Sequence, residues 1–360
     1  MSKLLKLSVL SLLLVPFAAS EAWIPVDPES FGQEKSDHLS GVSGPTTGFI
    51  NGSIGVAAAH HLLASDMGTL RQRLGGAHRV STAPGGTSPW VRVYGSRWKA
   101  DSQGRAAGFK LDEGVVEVGL DHQFDATLVG AFVDYVHADS KMYGRHALID
   151  GPYKVKSRGG RAGLYATHNF DSGVWIDVVG RIGFDRNRLR YVDEYGSGFK
   201  TFELDSVKSV YRNLSVETGR SFGIVDTWRV EPQFQVVFTR SGKVTMTDAD
   251  GHRIEVKAHS DVTTRLGALV EKSLIDPSGS DIRAYVKLAW ERHWSKTQDI
   301  KSNDEQYAMA PDWKGNRFIY GLGIEGTLGK KHTWHASVEQ SRGGVFRNDV
   351  RADLGMRLQF

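Results

Sequence analysis

The sequence predicts an all-β membrane protein, a twelve-stranded antiparallel up-and-down β-barrel of the outer-membrane type. Three observations lead to this prediction: an N-terminal export signal, alternation of apolar and polar residues over positions 88–360, and connections that take turns between short and long. Outer-membrane barrels combine these features because lipid-facing and lumen-facing side chains alternate along every strand, and periplasmic turns are shorter than outer loops.

Residues 1–22 have the pattern of a secretory signal peptide. Lys3 and Lys6 precede an apolar run from Leu7 to Ala19, and small residues between positions 18 and 22 offer cleavage sites. A membrane helix needs about 20 apolar residues, whereas this run is shorter and contains Pro16. We therefore expect the secretion translocon to export the chain.

The composition indicates β structure without disulfides. The chain has 0 Cys, so disulfide bonds do not stabilise it outside the cytoplasm. It has 41 Gly with 16 Phe, 11 Tyr and 9 Trp, and no apolar run after the signal reaches the length of a membrane helix. Lys and Arg total 45 against 41 for Asp and Glu, and they are scattered along the sequence, so we expect no nucleic-acid partner.

Residues 23–52 are predicted to form a flexible linker or a vestigial N-terminal segment. They contain Pro25, Pro28 and Pro45 together with several Ser and Gly, and they include too few apolar residues for a core.

Residues 53–75 are predicted to form one amphipathic helix. Ser53 can cap its start, apolar residues recur at helical spacing, and Gly75-Gly76 can end it. Such a helix is about 30 Å long, close to the thickness of a bilayer core. His60 and His61 are adjacent and point about 100° apart on a helix, so they cannot hold one ion as an i, i+4 pair would. We interpret them as polar helix surface.

Twelve segments with strand-like alternation follow the helix. In the clearest one, Trp228 to Phe238, even positions are apolar and odd positions are mostly charged or amide residues. Pro232 within it removes a ladder donor, which predicts a bulge. The segments begin near Trp90, Val115, Thr127, Arg158, Val174, Val210, Trp228, Val262, Ile282, Phe318, His332 and Val350.

The connections between these segments sort by length. Short connections alternate with long polar ones, and a water-soluble sandwich has no reason for such sorting. Aromatic residues near the strand ends are predicted to form interfacial girdles: Trp90, Trp98, Tyr135, Phe170, Trp228, Trp294 and Trp334. The long connections are residues 99–114, 140–156, 186–209, 241–261 and 295–317.

Three segments together resemble the C-terminal translocator domain of the autotransporters, the type V secretion proteins of Gram-negative bacteria. They are Thr69-Leu-Arg-Gln-Arg-Leu-Gly75 with the following Trp90-Val-Arg-Val-Tyr-Gly95, Trp228-Arg-Val-Glu-Pro-Gln233, and the chain end from Val350 to Phe360. The last segment is similar to the signal that barrel-assembly machinery recognises, with Val350, Ala352, Leu354, Met356, Leu358 and Phe360 on one face.

The resemblance implies protein transport. It implies that the barrel over residues 88–360 lies in the bacterial outer membrane, that the helix occupies the lumen, and that the segment before the helix is threaded through the pore to the surface. It also implies outer-membrane lipid, periplasmic chaperones and the barrel-assembly machinery as partners of a monomer. Pore-helix residues would be Leu70, Arg71, Arg73 and Leu74, and lumen charges would include Arg161, Asp177, Arg181, Arg229, Glu231, Arg265 and Glu325. Mixed lumen charges can pair with Arg71 and Arg73.

One feature leaves alternatives open, and one motif is set aside. Only a very short passenger precedes the helix, so no passenger activity is inherited, and the chain could instead be a passive pore or an adhesin that acts through its outer loops. Gly321-Leu-Gly-Ile-Glu-Gly326 spells a dinucleotide-binding motif but lies within a strand rather than before a helix. We find no catalytic, cofactor or metal motif and expect no enzyme. Acidic and His residues in or near the long loops are most simply hydrated loop residues.

Overall fold

A computed structural model describes residues 47–76, 86–100, 108–143, 153–195, 198–225, 227–248, 250–275, 281–302, 308–309, 311–328 and 332–359. The predicted signal peptide at 1–22 and positions 23–46 of the predicted linker lie outside these residues. Within the described ranges, neither helix has both the length and the apolar character that a membrane-spanning helix requires.

In the described residues before the strands there are two helices, and the elements are numbered here in chain order. The helices are α1 (Thr47–Ser65) and α2 (Leu70–Leu74). The strands are β1 (Thr87–Ala100), β2 (Gly108–Phe124), β3 (Thr127–Tyr143), β4 (Tyr153–Asn169), β5 (Val174–Tyr195), β6 (Gly198–Arg220), β7 (Phe222–Val225), β8 (Trp228–Ser241), β9 (Val244–Thr247), β10 (Arg253–Val256), β11 (His259–Ile275), β12 (Asp281–His293), β13 (Ile300–Ser302), β14 (Ala308–Met309), β15 (Gly315–Leu328), β16 (His332–Gly343) and β17 (Phe346–Arg357).

Twelve long strands close into an antiparallel barrel, which confirms the predicted fold. Each strand pairs with its neighbour along the chain, in the order β1 to β6, β8, β11, β12 and β15 to β17. The first and last strands then pair with each other, from Trp90 opposite Arg357 to Ala100 opposite Phe346. Closure gives each of the twelve barrel strands two neighbours. Strands in hydrocarbon require this because no water is present there to bond unpaired amides.

Two of the predicted long loops are partly folded. The connections between β8 and β11 and between β12 and β15 contribute β9, β10, β13 and β14 to a separate four-stranded sheet. Its alternating apolar residues, which include Val244, Met246, Ile254 and Val256, are buried in one cluster with the apolar residues of α1. The prediction of polar loops over 241–261 and 295–317 was wrong there, because this sheet covers an apolar helix rather than facing solvent. The predicted loop at 186–209 is likewise a long hairpin of β5 and β6.

The outward face of β5 shows how the sequence builds a lipid-facing band. Val178, Ile182 and Phe184 are exposed, whereas the intervening residues Val179, Arg181 and Asp185 are buried inside the barrel. The outward residues are apolar from Val174 to Phe184 and basic at Arg186, Arg188 and Arg190. Such an apolar stretch agrees with the roughly 9–11 residues that a transmembrane strand needs.

The predicted aromatic girdles are only partly present. Tyr135, Phe170, Trp228 and Trp294 are exposed large side chains, as an interfacial position requires. Trp90 and Trp98 instead point into the barrel and are buried. The prediction failed for these two because nearness to a strand end does not fix which face of the strand a residue occupies.

Pro232 does not cause the predicted bulge in its own strand. It lies opposite Ala268, and β8 keeps an unbroken register with β11 through this position. On the other side of β8, pairing with β6 ends at Gln233 and pairing with β7 resumes at Val230. The neighbouring strand is therefore interrupted beside the proline, where an amide donor is missing.

Gly159 of β4 is the glycine at which we expect a substitution to damage the barrel. A Cβ atom there would lie 2.3 Å from the backbone oxygen of Phe184 on β5, a contact that only a backbone shift can relieve. We predict that Gly159→Ala lowers the free energy of unfolding in detergent by about 1–3 kcal/mol, the usual range for overpacking. Urea unfolding followed by gel mobility measures it.

Gly114→Ala is the matched control for this prediction. Gly114 also lies within a barrel strand, but a Cβ atom built there meets nothing within 4 Å. Equal unfolding free energies for the Gly159→Ala and Gly114→Ala proteins would show that the close approach of β4 and β5 at Gly159 does not contribute to the stability of the barrel.

Candidate functional site

The lumen of the barrel contains a helix that is apolar on nearly all sides. Helix α1 has no charged residue, and Phe49, Leu63 and the Ala57–Ala59 run are almost fully buried. A helix that is apolar all round requires a surface on every side, which the barrel wall and the four-stranded sheet supply. The lumen is therefore a packed core in this region rather than an open channel.

The predicted start of the helix was wrong. Helix α1 begins at Thr47, within the predicted linker 23–52, so Ser53 is not its N-cap. The Ser53 hydroxyl instead donates to the Phe49 carbonyl oxygen over 2.8 Å, one turn back in the helix. Ser residues do this inside helices as well as at caps, and for this reason the sequence did not distinguish the two positions.

The barrel wall caps the C-terminal end of α1. Arg181 of β5 donates to the carbonyl oxygens of Ala64 and Asp66 over 2.9 and 2.8 Å. Asn213 of β6 donates to the Ala64 carbonyl oxygen over 2.8 Å. The last carbonyls of a helix have no partner within the helix and carry partial negative charge. A cation and an amide on the wall therefore fix the place where α1 ends.

The predicted single helix over 53–75 is in fact two helices. After α1 the chain is not helical through residues 66–69, and Gly68 takes a left-handed φ of 67°. Thr69 then starts α2 with a capping box, in which its side chain accepts from the Gln72 amide. The Leu70 amide, another unpaired donor of this first turn, donates to Glu217 of β6 over 2.7 Å. The break lets α2 take its own position against the wall.

Arg71 lies at the centre of a cluster of wall carboxylates. Its Nη2 atom lies 2.5 Å from Glu271 and 2.8 Å from Glu325, and its Nη1 atom lies 4.0 Å from Glu231. Its guanidinium also lies 4.3 Å from the centre of the Tyr285 ring. All three carboxylates are buried. One arginine of the chain segment in the lumen thus compensates acidic residues from three wall strands.

Arg73 and Asp66 make further ion pairs between this segment and the wall. Arg73 donates to Asp177 of β5 over 2.7 Å, and its guanidinium lies 4.3 Å from the Tyr165 ring. Asp66 accepts from Arg351 of β17 over 2.7 Å. The charges on residues 66–73 and on the wall are therefore complementary. The apolar neighbours Leu70 and Leu74 pack into a cluster with wall residues that include Trp90, Leu128, Phe132 and Trp175.

The predicted lumen charges divide into three groups. Asp177, Arg181, Glu231 and Glu325 contact residues 64–73, as described above. Arg161 and Arg265 are directed inward but pair with wall acids, Arg161 with Asp134 at 2.7 Å and Arg265 with Glu291 at 2.6 Å. Arg229 differs from the prediction, because it is exposed near the start of β8 rather than enclosed among the lumen charges.

Some residues of this site were not singled out from the sequence. Asn213, Arg351 and His335 all contact residues 64–72, with His335 Nε2 lying 3.0 Å from the Gln72 carbonyl oxygen. Their inward position follows from strand alternation. Their contact with the helices depends on strand register and tilt, which the alternation does not specify.

Contacts at the two ends of this segment give its direction. The Phe49 ring lies 5.8 Å from the ring of Tyr191, near the long-hairpin end of β5. A Cβ atom at Gly75 would lie 2.9 Å from His335, near the start of β16 at the opposite end of the barrel. The N-terminus of α1 therefore points to the end of the barrel with the long connections, and α2 lies toward the end with the tight turns.

The two histidines of α1 are buried, which contradicts their interpretation as polar helix surface. The His60 ring lies 5.7 Å from the Tyr211 ring. His61 lies beside Asp261 and His293, and these three residues each place one potential ligand atom within 4.8 Å of the others. Two His and one carboxylate are a donor set that can hold a divalent transition metal.

The final strand alternates as the sequence predicts from Arg351 to Arg357. Ala352 and Leu354 face outward, and Arg351, Asp353 and Arg357 are buried inside. Val350 and Met356 are half-buried, and Leu358 follows the strand with its amide donating to Pro89 over 2.9 Å. Phe360 lies outside the described residues.

Comparison with known proteins identifies the family. The family model described as the autotransporter beta-domain matches residues 89–339. The chain belongs to the autotransporter family. Among curated relatives, the BrkA autotransporter of Bordetella pertussis is 28% identical over 322 residues, which cover 87% of this chain and 30% of BrkA. The pertactin autotransporter of Bordetella parapertussis is 28% identical over 299 residues, covering 80% of this chain and 30% of pertactin.

Solved autotransporter structures have the same fold. The beta domain of the Bordetella autotransporter BrkA superposes with a TM-score of 0.61 at 23% identity, covering 76% of this chain and all of that domain (100%). The transport unit of AIDA-I from Escherichia coli gives a TM-score of 0.67 at 15% identity, covering 86% of this chain and 99% of that one. The NalP translocator domain from Neisseria meningitidis gives 0.62 at 12% identity, with 85% and 98% covered.

Membership of the family places the barrel. Autotransporter β-domains lie in the bacterial outer membrane, and so does this closed twelve-stranded barrel. The chain spans about 30% of the length of the two curated relatives named above. The comparison therefore covers only that share of each relative.

Proposed function

We propose that this barrel carries the polypeptide that precedes α1 through its lumen to the cell surface, and that α1 and α2 then remain in the lumen and close it. The observation that carries the proposal is the fit of one chain segment to the wall. Residues 64–73 make contacts of opposite charge or polarity with the wall. Arg181 of the wall donates to a helix carbonyl, and three wall carboxylates surround Arg71. Wall residues Asp177 and Arg351 form ion pairs with the same segment.

The direction of the helices supports the same conclusion. The start of α1 lies toward the long-hairpin end of the barrel, where Phe49 meets Tyr191. In an outer-membrane barrel, the long connections lie on the extracellular side. A chain that continues from α1 toward its N-terminus is therefore directed to the cell surface.

The lumen does not favour a passive pore. Where an open pore would hold water, α1 packs with wall and sheet residues in a single apolar cluster. The proposal assigns no chemical step to the barrel. A surface adhesin would require only the extracellular loops. The complementary charges of α2 and the barrel wall would then have no role.

The assembly partners belong to this proposal. The apolar alternation of Val350, Ala352, Leu354, Met356 and Leu358, which Phe360 continues in the sequence, suits a strand that the barrel-assembly machinery binds. Periplasmic chaperones would hold the exposed apolar strands before insertion, and the secretion translocon would act on the predicted signal at 1–22.

An epitope inserted immediately before Thr47 tests the proposal. We expect antibody to bind this epitope on intact cells, because the start of α1 is directed to the surface. The matched control carries the same epitope in the tight turn at Asp171–Gly173, which we expect antibody to reach only after the outer membrane is opened. Equal protection of both epitopes in intact cells would contradict the proposed route.

A further inference from the structure

The outward surface of the barrel changes abruptly from apolar to basic on adjacent strands. On β5 the outward residue after Phe184 is Arg186, followed by Arg188 and Arg190. On β4 the exposed Ala162 and Leu164 give way, in the same direction across the barrel, to Arg158 and Lys156. The change falls at the upper limit of the lipid-facing band.

Strand pairing brings these basic residues side by side. Arg158 of β4 lies opposite Arg186 of β5, and Arg186 lies opposite Lys208 of β6. One register row therefore holds three cations. In a second row, Arg212 of β6 lies opposite Arg240 of β8. We call these five residues the basic face: Arg158, Arg186, Lys208, Arg212 and Arg240.

In the part of the chain that the structure describes, the basic face has no acidic partner. Among the described residues, no carboxylate forms an ion pair with any of its five members, and Arg240 donates to the Ser260 hydroxyl over 2.6 Å. Farther from the apolar band the pattern differs, because Arg188 pairs with Asp205 and Arg190 with Glu203. Like charges directly opposite each other on a sheet are destabilising. Within the described ranges, the positive charge of the basic face is therefore not compensated.

The depth of the basic face in the membrane indicates which negatively charged group neutralises it. Phe184 and Phe238 are exposed beside it, as aromatic residues at a membrane interface are. Arg212 lies opposite Ile182, still within the apolar band of β5. An arginine facing hydrocarbon is costly unless its head group reaches a polar partner. A partner at this depth is a lipid head group rather than a soluble protein.

We propose that the basic face binds the phosphate groups of lipopolysaccharide in the outer leaflet. Lipopolysaccharide carries phosphates directly above its acyl chains, at the depth where these cations lie. Arginine binds phosphate through paired charge-assisted hydrogen bonds, and four of the five residues are arginine. The inference depends on the location of the barrel in the outer membrane and not on transport through its lumen.

The test compares two refolded full-length variants, each lacking four outward positive charges. The first carries Arg158→Gln, Arg186→Gln, Lys208→Gln and Arg212→Gln. The control carries Arg188→Gln, Arg190→Gln, Arg220→Gln and Lys272→Gln, which remove two acid-paired residues and two near the opposite end of the barrel. Heat-modifiable gel migration first establishes that both variants fold.

Purified lipopolysaccharide is then titrated onto each protein in neutral detergent micelles. We expect the first variant to bind on the order of 100-fold more weakly than the wild-type chain, since each basic residue at an anionic membrane surface contributes several-fold in affinity. The control variant should remain within a few-fold of the wild-type chain. Sodium chloride should weaken wild-type binding by screening.

Two further probes separate phosphate recognition from other attractions. Enzymatically dephosphorylated lipopolysaccharide should bind the wild-type chain as weakly as intact lipopolysaccharide binds the first variant. Phosphatidylglycerol should bind more weakly than intact lipopolysaccharide. Equal affinities of the two four-charge variants, tight binding of the dephosphorylated probe, or equal affinity for phosphatidylglycerol would each overturn the proposal.

Discussion

Arg71→Met is expected to release α2 from the lumen and to raise the conductance of the barrel. The change removes the cation among Glu231, Glu271 and Glu325 but keeps a flexible apolar side chain about as long as the hydrocarbon stem of arginine. Breaking a buried ion pair from one side typically costs about 3–5 kcal/mol, because the remaining charge stays buried without compensation. An equilibrium between docked and undocked helix would therefore shift by about 100-fold or more toward the undocked state.

Planar-bilayer recordings of the refolded protein measure this shift as the fraction of time spent in a high-conductance state. Arg188→Met is the matched control, since Arg188 also pairs with a carboxylate, Asp205, but both side chains are exposed. Exposed pairs contribute at most about 1 kcal/mol, so the control should conduct like the wild-type chain. Identical recordings from the two variants would show that the pairs around Arg71 do not hold the helix.

The barrel was predictable because its determinants are local. Alternation along Trp228–Phe238 or along Val350–Leu358 reports which face of a strand meets lipid, without any knowledge of its neighbours. An even number of strands and the sorting of connection lengths then favoured a closed up-and-down barrel over a sandwich. The family resemblance supplied the position of the helix.

The internal structure of the lumen was less predictable because it depends on register. The sequence suggested that Arg71 and Arg73 meet lumen carboxylates, but not which ones. Glu271 and Glu325 come from strands that are far apart in sequence and are brought to one guanidinium by strand order and tilt. The break between α1 and α2 was hidden for a related reason. Gly68 and Thr69 end one helix and start another, and wall residues such as Arg181 and Glu217 hold the two ends.

The basic face on the outer surface was also not predicted from the sequence. Basic residues are scattered along the sequence, and this scattering argued against any basic patch. In the barrel, Arg158, Arg186 and Lys208 occupy one row, because neighbouring antiparallel strands bring distant positions together. The four-stranded sheet was missed because its strands are at most four residues long, as Val244–Thr247 and Arg253–Val256 show. Such short segments carry little periodic signal.

Deletion of residues 47–74 is expected to have the largest effect on conductance. A twelve-stranded barrel is wider than the eight-stranded kind whose interior is filled by wall side chains. Here α1 and α2 occupy the remaining space, with Phe49, Leu63 and Leu70 almost fully buried. Removing them leaves wall residues that include the buried acids Glu217, Glu271 and Glu325, and water will fill the space around these polar groups.

The central claim is that the segment 47–74 closes the lumen, and single-channel conductance of the full chain beside the variant lacking residues 47–74 tests it most directly. Heat-modifiable migration of both proteins on a gel first establishes that each has folded into a barrel. We predict small, intermittent currents from the full chain and stable currents several-fold larger from the variant. Large and equal currents from both proteins would contradict the claim, because they would mean that the helices do not fill the pore.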